Sequence, residues 1–270
     1  MEPSLAELAE DTLAHVLPQP GVDRVDRGDL VLCATGNSAS VVRIRLGDVE
    51  AALAWVRAEA ARRALRGLDW WVGWSATPNG LGRRLLELGL VPDPEEAQLT
   101  GMTCDRPPPG APDVDIRRID TLEQLLDALT VDWDVWQHDD AERARRTETE
   151  RRRFDATGPA HHFAAYVDGR PVGFGRAVDM THGVALLGGA VLAEFRGRGV
   201  YRALVRARWE HAVARGTPLL VVQAGRMSAP VLDGLGFRRH GDLELFADPA
   251  VSDRSPTDVG EASDERQTNV

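Results

Sequence analysis

Apolar residues in the second half of the chain occur in two patterns, one at helical spacing and one typical of strands. Residues 122–135 place apolar side chains at helical spacing, and residues 141–154 form a strongly charged helical segment typical of a solvent-facing surface. Residues 162–166 and 171–178 have the apolar content of strands and are separated by an Asp-Gly pair, which favours a tight hairpin. We therefore expect two helices followed by an antiparallel hairpin.

A strand and a helix are predicted further along, on either side of a glycine-containing loop. The strand covers residues 183–192, and the helix begins near Val200 and ends at Gly216, which is placed as a carboxyl-terminal cap. Branched residues at 219–223 predict a buried strand, and residues 243–246 predict a closing strand after a short helix. This half thus combines helices with a mainly antiparallel sheet.

The first half contains a weaker copy of the same plan. A long Ala-rich segment, 48–66, predicts a helix, residues 69–74 predict a strand, and residues 81–90 predict a second helix. This order matches the helix, strand and short helix at the end of the second half. We expect two related domains.

Composition changes along the chain predict the domain boundaries. Prolines crowd residues 106–113 and favour an extended linker. The ranges 1–105 and 114–248 are the two predicted domains, and 249–270 has the polar composition of a disordered tail.

Overall composition narrows the class of protein. The chain has 270 residues, 43% of them hydrophobic, and a formal net charge of -10, which disfavours binding to nucleic acid or to anionic membranes. Cys33 and Cys104 are the only cysteines, and no metal-ligand spacing is present, so we expect neither a disulfide framework nor a metal site. Without a leader-like segment or an apolar span, a cytoplasmic location is expected.

The loop Arg196-Gly197-Arg198-Gly199 has the features of an anion-binding cradle. Its glycines permit positive φ angles and close approach of the backbone to a ligand. The helix beginning near Val200 adds its free amides and the positive end of its dipole. Neither Gly-x-Gly-x-x-Gly nor Gly-Lys-Ser/Thr occurs here, which disfavours a dinucleotide or nucleoside triphosphate site.

This loop resembles the acetyl-CoA motif Gln/Arg-x-x-Gly-x-Gly/Ala of the GNAT superfamily of N-acetyltransferases, and departs from it at Tyr201. The resemblance implies an α/β (α+β) fold with two GNAT-like domains, each a mixed, largely antiparallel twisted sheet flanked by helices. Residues 38–48, at the corresponding place in the first domain, have one glycine and no such motif. The amino-terminal copy is therefore expected to be degenerate.

The resemblance also implies acetyl-CoA as cosubstrate. The strand backbone at Gly189, Ala190 and Val191 would pair with the pantetheine arm, and the loop and helix start would bind the diphosphate. The residues expected at the diphosphate are Arg196, Gly197, Arg198, Gly199, Val200, Tyr201 and Arg202.

The residues that usually carry proton transfer in the family are missing from this sequence. Leu232 and Arg226 stand where many members have Tyr and Asn, and residues 186–191 contain no carboxylate to serve as a base. Trp133 and Trp136 lie in the segment that forms the acceptor pocket in the family. The remaining candidates for proton transfer are Ser228, Tyr201 and Glu194.

The leading hypothesis is an acetyl-CoA-dependent N-acetyltransferase that transfers an acetyl group to a primary amine of a small molecule or a protein N-terminus by direct attack on the thioester. The alternative is a non-catalytic acyl-CoA-binding or regulatory GNAT-like protein, favoured by the missing catalytic residues. A third hypothesis is a purely structural or interaction protein.

Overall fold

A computed structural model describes residues 2–93, 97–110, 113–157 and 161–251. These ranges contain a mixed α/β fold, in which one twisted sheet is flanked by helices. Most of the predicted tail, 249–270, and two residues of the predicted linker lie outside them.

The amino-terminal half supplies four helices and six strands among the described residues. The helices are α1 (Leu5–Glu10), α2 (Thr12–His15), α3 (Val49–Arg62) and α4 (Leu81–Glu87). The strands are β1 (Val22–Asp26), β2 (Val31–Thr35), β3 (Ser38–Val42), β4 (Gly67–Val72), β5 (Val91–Pro92) and β6 (Gln98–Cys104).

The carboxyl-terminal half has the same number of helices and of strands in the ranges covered. The helices are α5 (Leu122–Val135), α6 (Asp140–Thr157), α7 (Val200–Ala214) and α8 (Ser228–Gly234). The strands are β7 (Asp115–Arg118), β8 (His161–Val167), β9 (Arg170–Met180), β10 (Gly183–Val191), β11 (Leu220–Ala224) and β12 (Arg238–Ala247).

Local sequence signals account for several of these boundaries. Thr121 and Gln124 form a capping box that begins α5. The hairpin between β8 and β9 turns at Asp168 and Gly169, both with positive φ. Helix α3 is shorter than the predicted 48–66, because Ala64 adopts a positive φ shortly after its end.

The sheet runs in the order β1-β2-β3-β4-β12-β6-β11-β10-β9-β8-β7. Only the pairs β3–β4 and β10–β11 are parallel among the strands described, and the other pairs are antiparallel. The expected mixed, largely antiparallel sheet is confirmed. Each parallel pair is connected through a helix, α3 in the first half and α7 in the second.

The two halves exchange their closing strands. Strand β6, from the amino-terminal half, pairs with β11 of the other half, and β12, from the end of the chain, pairs with β4. The exchanged strands also pair with each other, so one sheet continues through both halves. The boundaries 1–105 and 114–248 stay predictions, and neither range by itself contains every strand of its part of the sheet.

Separate hydrophobic cores lie on the two faces of the sheet. In the second half, α7 and α8 pack on one face through residues such as Leu204 and Leu232. Helix α5 covers the other face through Leu129 and Trp133. Because these cores enclose β8–β10, they hold the strand that leads into the glycine loop.

A buried ion pair fastens the end of the exchanged strand β12 to α3. The Arg57 guanidinium donates from Nε to Asp248 Oδ2 at 2.7 Å and from Nη2 to Oδ1 at 2.9 Å. Asp248 has no exposed surface, whereas the Arg57 side chain is 34% exposed. The carboxylate therefore depends on this arginine for charge compensation.

We predict that Arg57→Ala lowers the free energy of unfolding by about 3 kcal/mol, because it leaves a buried carboxylate unpaired. Urea denaturation measures this change. Arg62→Ala on the same helix is the control, since its partner Glu59 keeps Arg63; we expect a loss below about 1 kcal/mol. Equal losses in the two variants would contradict the assignment.

Candidate functional site

The parallel strands β10 and β11 separate after a short paired stretch. Their register contains Val184 opposite Leu220 and Ala185 opposite Val221. Strand β10 continues to Val191, while β11 remains paired with β6 at its other edge. A wedge therefore opens between the carboxyl ends of the two strands, and we call it the strand wedge.

A β-bulge in β10 changes which backbone groups face the strand wedge. Gly188 has φ +75°, and the register with β9 shifts between Leu187 and Gly189. Beyond the bulge, the amide of Leu192 donates to the carbonyl of Val172 in β9. Because strand backbone groups alternate in direction, the amides and carbonyls of Gly189 and Val191 point into the wedge.

The loop that follows β10 ends at the amino terminus of α7. Gly197 and Gly199 have φ values of +71° and +82°, in the region that favours glycine. Gly199 is the N-cap of α7, and no side-chain hydrogen bond caps this helix in the described structure. The first amides of a helix have no intrahelical acceptor, so those of Val200, Tyr201 and Arg202 are presented to an anion.

The arginines of the loop have different environments. Arg196 is half-buried, and its Nε donates to the carbonyl of Val191 at 3.0 Å, which ties the loop to the end of β10. Arg198 and Arg202 are exposed, and the Arg198 guanidinium lies 5.2 Å from the centre of the Phe195 ring. The two exposed side chains leave positive charge at the mouth of the strand wedge.

Tyr201 turns its ring away from the helix start. A Cβ atom on Gly189 would lie 3.2 Å from Tyr201 Cε2, so the ring packs under β10. Burial raises the pKa of the Tyr201 hydroxyl, and the charge of the neighbouring Arg208 opposes this rise. The bulky residue at this motif position therefore leaves the amides of α7 accessible.

The other candidates for proton transfer lie in different places. Glu194 is exposed in the turn Ala193–Phe195, and its carboxylate lies 3.4 Å from Arg170 Nη2. Ser228 begins α8 and its hydroxyl donates to the carbonyl of Gly225 at 3.3 Å. Leu232 is fully buried in the core. Their catalytic assignments stay predictions.

The sequence profile of the Acetyltransferase (GNAT) family matches residues 122–237, which include α5, β10, the glycine loop, α7 and α8. Residues 122–237 thus match a GNAT acetyltransferase domain. The family resemblance expected from the loop motif is therefore confirmed.

Solved structures share the fold over most of the chain. A GCN5-related N-acetyltransferase from Kribbella flavida superposes with a TM-score of 0.65 at 17% identity, covering 92% of this chain and 97% of that one. A tandem GNAT protein from the clavulanic acid biosynthesis pathway gives 0.58 at 17% identity, covering 91% and 88%. At this identity, the likeness concerns the fold. A comparison with curated protein sequences found no match.

The corresponding place in the amino-terminal half lacks the features of the GNAT domain's wedge. Strands β3 and β4 stay paired from Ser38 to Val41, and a further bridge joins Arg45 to Thr77. Asp48 caps α3, with its Oδ1 accepting from the amide of Ala51 at 2.9 Å. A carboxylate thus already occupies the helix start, which disfavours binding of a phosphate there.

A buried carboxylate fills the space beside β4. Glu10, at the end of α1, accepts from the amide of Ser75 at 2.7 Å and from its hydroxyl at 2.6 Å. The adjacent Asp11 is 5% exposed and lies 3.4 Å from Arg45 Nη2. Burial and the neighbouring Glu10 raise the pKa of Asp11 to about 6. This cluster favours a packing role for the amino-terminal half.

Among the residues that the structure describes, one group of side chains could hold a metal ion, although no ligand spacing in the sequence suggested it. It consists of His161, Asp179 and His211. Asp179 accepts from His211 Nε2 at 2.8 Å, and its Oδ2 forms an ion pair with Arg215, 3.0 Å from Nε. Arg118 donates to His161 Nδ1 at 3.0 Å, so the neutral ring carries its proton on Nε2 and donates it to Asp179. A metal ion would have to displace these hydrogen bonds.

A polar cluster that the sequence did not predict lies under α5 and α6. Arg176 Nη2 lies 3.4 Å from Glu150 Oε1, and its Nε donates to His162 Nε2 at 3.0 Å. Glu150 Oε2 is buried and has no hydrogen-bond partner in the described ranges. Burial raises the pKa of Asp132, which also interacts with Arg176. An arginine in the otherwise apolar run 172–178 of β9 was the available signal.

None of the helices in the described ranges is long and apolar enough to cross a membrane.

The raised pKa of Asp11 gives a prediction for stability. Between about pH 4 and pH 6 the folded chain retains a proton that the unfolded chain releases, so stability falls as the pH rises. Asp11→Asn removes the cost of ionisation and is expected to raise the free energy of unfolding by about 2 kcal/mol at pH 7.5, with little gain below pH 4.

Urea denaturation at both pH values measures the effect of Asp11→Asn. Asp120→Asn is the control, because this carboxylate is exposed and we expect no difference between the two pH values. A gain that is the same at both pH values would contradict the role assigned to burial.

Proposed function

We propose that the chain is an acetyl-CoA-dependent N-acetyltransferase whose GNAT domain transfers an acetyl group to a primary amine of a small molecule or a protein N-terminus. The observation that carries this proposal is the strand wedge leading to the uncapped start of α7. Both features supply backbone groups that lack partners within the sheet and the helix.

The wedge has the donors and acceptors that an acetyl-CoA molecule requires. The amides at the start of α7 suit the diphosphate, assisted by Arg198 and Arg202 at the mouth. The wedge-facing amides of Gly189 and Val191 and the carbonyl of Gly189 suit the amides of the pantetheine arm, as an added strand would pair, whereas the Val191 carbonyl already accepts from Arg196. Ala190 lies between them and is buried against the α5 core.

The polar cluster under α5 and α6 suits the acceptor amine. Phe174 packs in the α5 core, and Arg176, two residues later on β9, lies on the same face opposite Leu187 beside the bulge. The unpartnered oxygen of Glu150 is an acceptor for an ammonium group. Carboxylates at this face can therefore bind the amine close to the bulge.

Proton removal from the acceptor is assigned to the same cluster. Burial raises the pKa of the Asp132 carboxyl, which makes its ionised form a stronger base. His162 is unsuited, because burial and Arg176 lower its pKa to about 3 and its Nε2 already accepts a hydrogen bond. We assign Glu150 to amine binding and Asp132 to acceptance of the proton.

A non-catalytic acyl-CoA-binding protein is the second candidate. It is favoured by the buried position of Leu232 and by the surface position of Glu194. Saturable acetyl-CoA binding without thiol release, across a panel of primary amines and peptides with free N-termini, would support this candidate over the enzyme.

The glycine loop gives the first functional prediction. Gly197→Asp places a negative charge in the cradle and should weaken acetyl-CoA binding by at least about tenfold in calorimetry, roughly the effect of losing one charge-assisted contact. Gly197→Asn is the matched control, because asparagine has similar size and tolerates positive φ. Unchanged affinity in the Asp variant would show that the loop does not bind the diphosphate.

The polar cluster under α5 and α6 gives the second functional prediction. Glu150→Gln removes the carboxylate charge and should raise the KM for the amine by roughly tenfold, as expected for the loss of one charged hydrogen bond. Steady-state thiol release with a primary amine accepted by the wild type measures this change. Glu148→Gln, an exposed position on the same helix, is expected to match the wild type. A KM unchanged by Glu150→Gln would exclude Glu150 from amine binding.

A further inference from the structure

Arg208 is a buried arginine without a carboxylate partner. It lies on α7, is 1% exposed, and forms no ion pair within the part of the chain that the structure describes. A buried cation is normally paired, because the loss of its hydration is unfavourable. The position of this charge in the fold therefore requires an explanation.

The guanidinium bonds mainly to backbone carbonyls. Nε donates to Leu204 O at 3.0 Å, in the preceding turn of α7, and Nη1 donates to Gly188 O at 3.3 Å. Nη1 also approaches Arg176 O at 3.5 Å. Nη2 is buried and has no partner in the described ranges. The cation is thus directed at the bulge of β10.

Two glycines make this placement sterically possible. Gly175 and Gly189 face each other across β9 and β10. A Cβ on Gly175 would lie 3.1 Å from the guanidinium carbon, and a Cβ on Gly189 would lie 3.9 Å from Nη1 and Nη2. The guanidinium therefore lies directly behind the backbone of the bulge.

The bulge lies where the reactive end of acetyl-CoA would be bound. With the diphosphate at the start of α7, the pantetheine arm runs along the wedge towards its apex, where Val184 and Ala185 pair with β11. The thioester is at the far end of that arm. Between the bulge and the glycine loop, the amide of Gly189 is the wedge-facing amide that lies nearest to the apex.

We infer that Arg208 is a positioning residue that polarises the Gly188–Gly189 peptide, so that the Gly189 amide donates a stronger hydrogen bond to the thioester carbonyl. Donation from Nη1 to the carbonyl of Gly188 withdraws electron density from this peptide group. The inference rests on the proposed function and concerns the same site.

The reaction places negative charge next to this amide. The acceptor nitrogen bonds to the carbonyl carbon, the carbon–sulfur bond breaks, and sulfur leaves with the electron pair as a thiolate, while the amine proton passes to the base. During attack the carbonyl oxygen gains negative charge, which a preorganised donor stabilises. Arg208 thereby assists catalysis in a site where Leu232 offers no hydroxyl.

Infrared difference spectroscopy of bound acetyl-CoA labelled with ¹³C at the thioester carbonyl tests this inference directly. In the wild type, the carbonyl band should shift to lower frequency on binding. In Arg208→Met the shift should shrink, with the affinity for acetyl-CoA within about threefold and kcat reduced roughly tenfold. Arg208→Lys should recover part of the shift. Arg206→Met, on the same helix, should match the wild type.

The outcomes separate this inference from the proposed function. Failure of the wild type to bind acetyl-CoA would overturn both. Binding with an unshifted carbonyl band, or an equal shift in Arg208→Met and the wild type, would overturn the role of Arg208 alone. If Arg208→Met does not fold, the wild-type band and that of Arg208→Lys still decide the question.

Discussion

The site depends on a strand that continues past the end of its neighbour. Backbone amides and carbonyls inside a protein require hydrogen-bond partners, yet β10 extends to Val191 after its pairing with β11 has ended. The bulge at Gly188, the tie from Arg196 to Val191 and the uncapped start of α7 all adjoin this unpaired edge. An extended ligand with its own amides and an anionic end, as proposed for acetyl-CoA, would supply hydrogen-bond partners to the strand and the helix together.

The two halves differ in a few local features that distinguish the proposed acetyl-CoA site from a unit that only packs. Both contain a parallel strand pair joined through a helix, yet the first keeps its strands together and caps its helix with Asp48, whereas the second separates them and begins its helix at Gly199. The carboxylate neutralises the helix start internally, and the glycine leaves it to an external anion.

Local signals predicted much of the fold. Helix α5 occupies the predicted residues 122–135, and the glycine loop lies between strand and helix as expected. The exchange of β6 and β12 was not predictable, because each strand follows a similar helix and its choice of neighbour depends on contacts distant in sequence. The polar cluster under α5 and α6 was not predicted either. Helix α6 is charged along its whole length, so periodicity does not reveal that Glu150 is turned inwards.

The strand exchange makes the linker a poor place to divide the molecule. Strand β11, which forms one wall of the wedge, has its outer hydrogen bonds to β6, and β6 precedes the proline-rich segment. Separated from that partner, β11 would present an open edge beside the proposed acetyl-CoA site. The half without the motif is therefore part of the framework of the proposed acetyl-CoA site, through a strand on the outer side of β11.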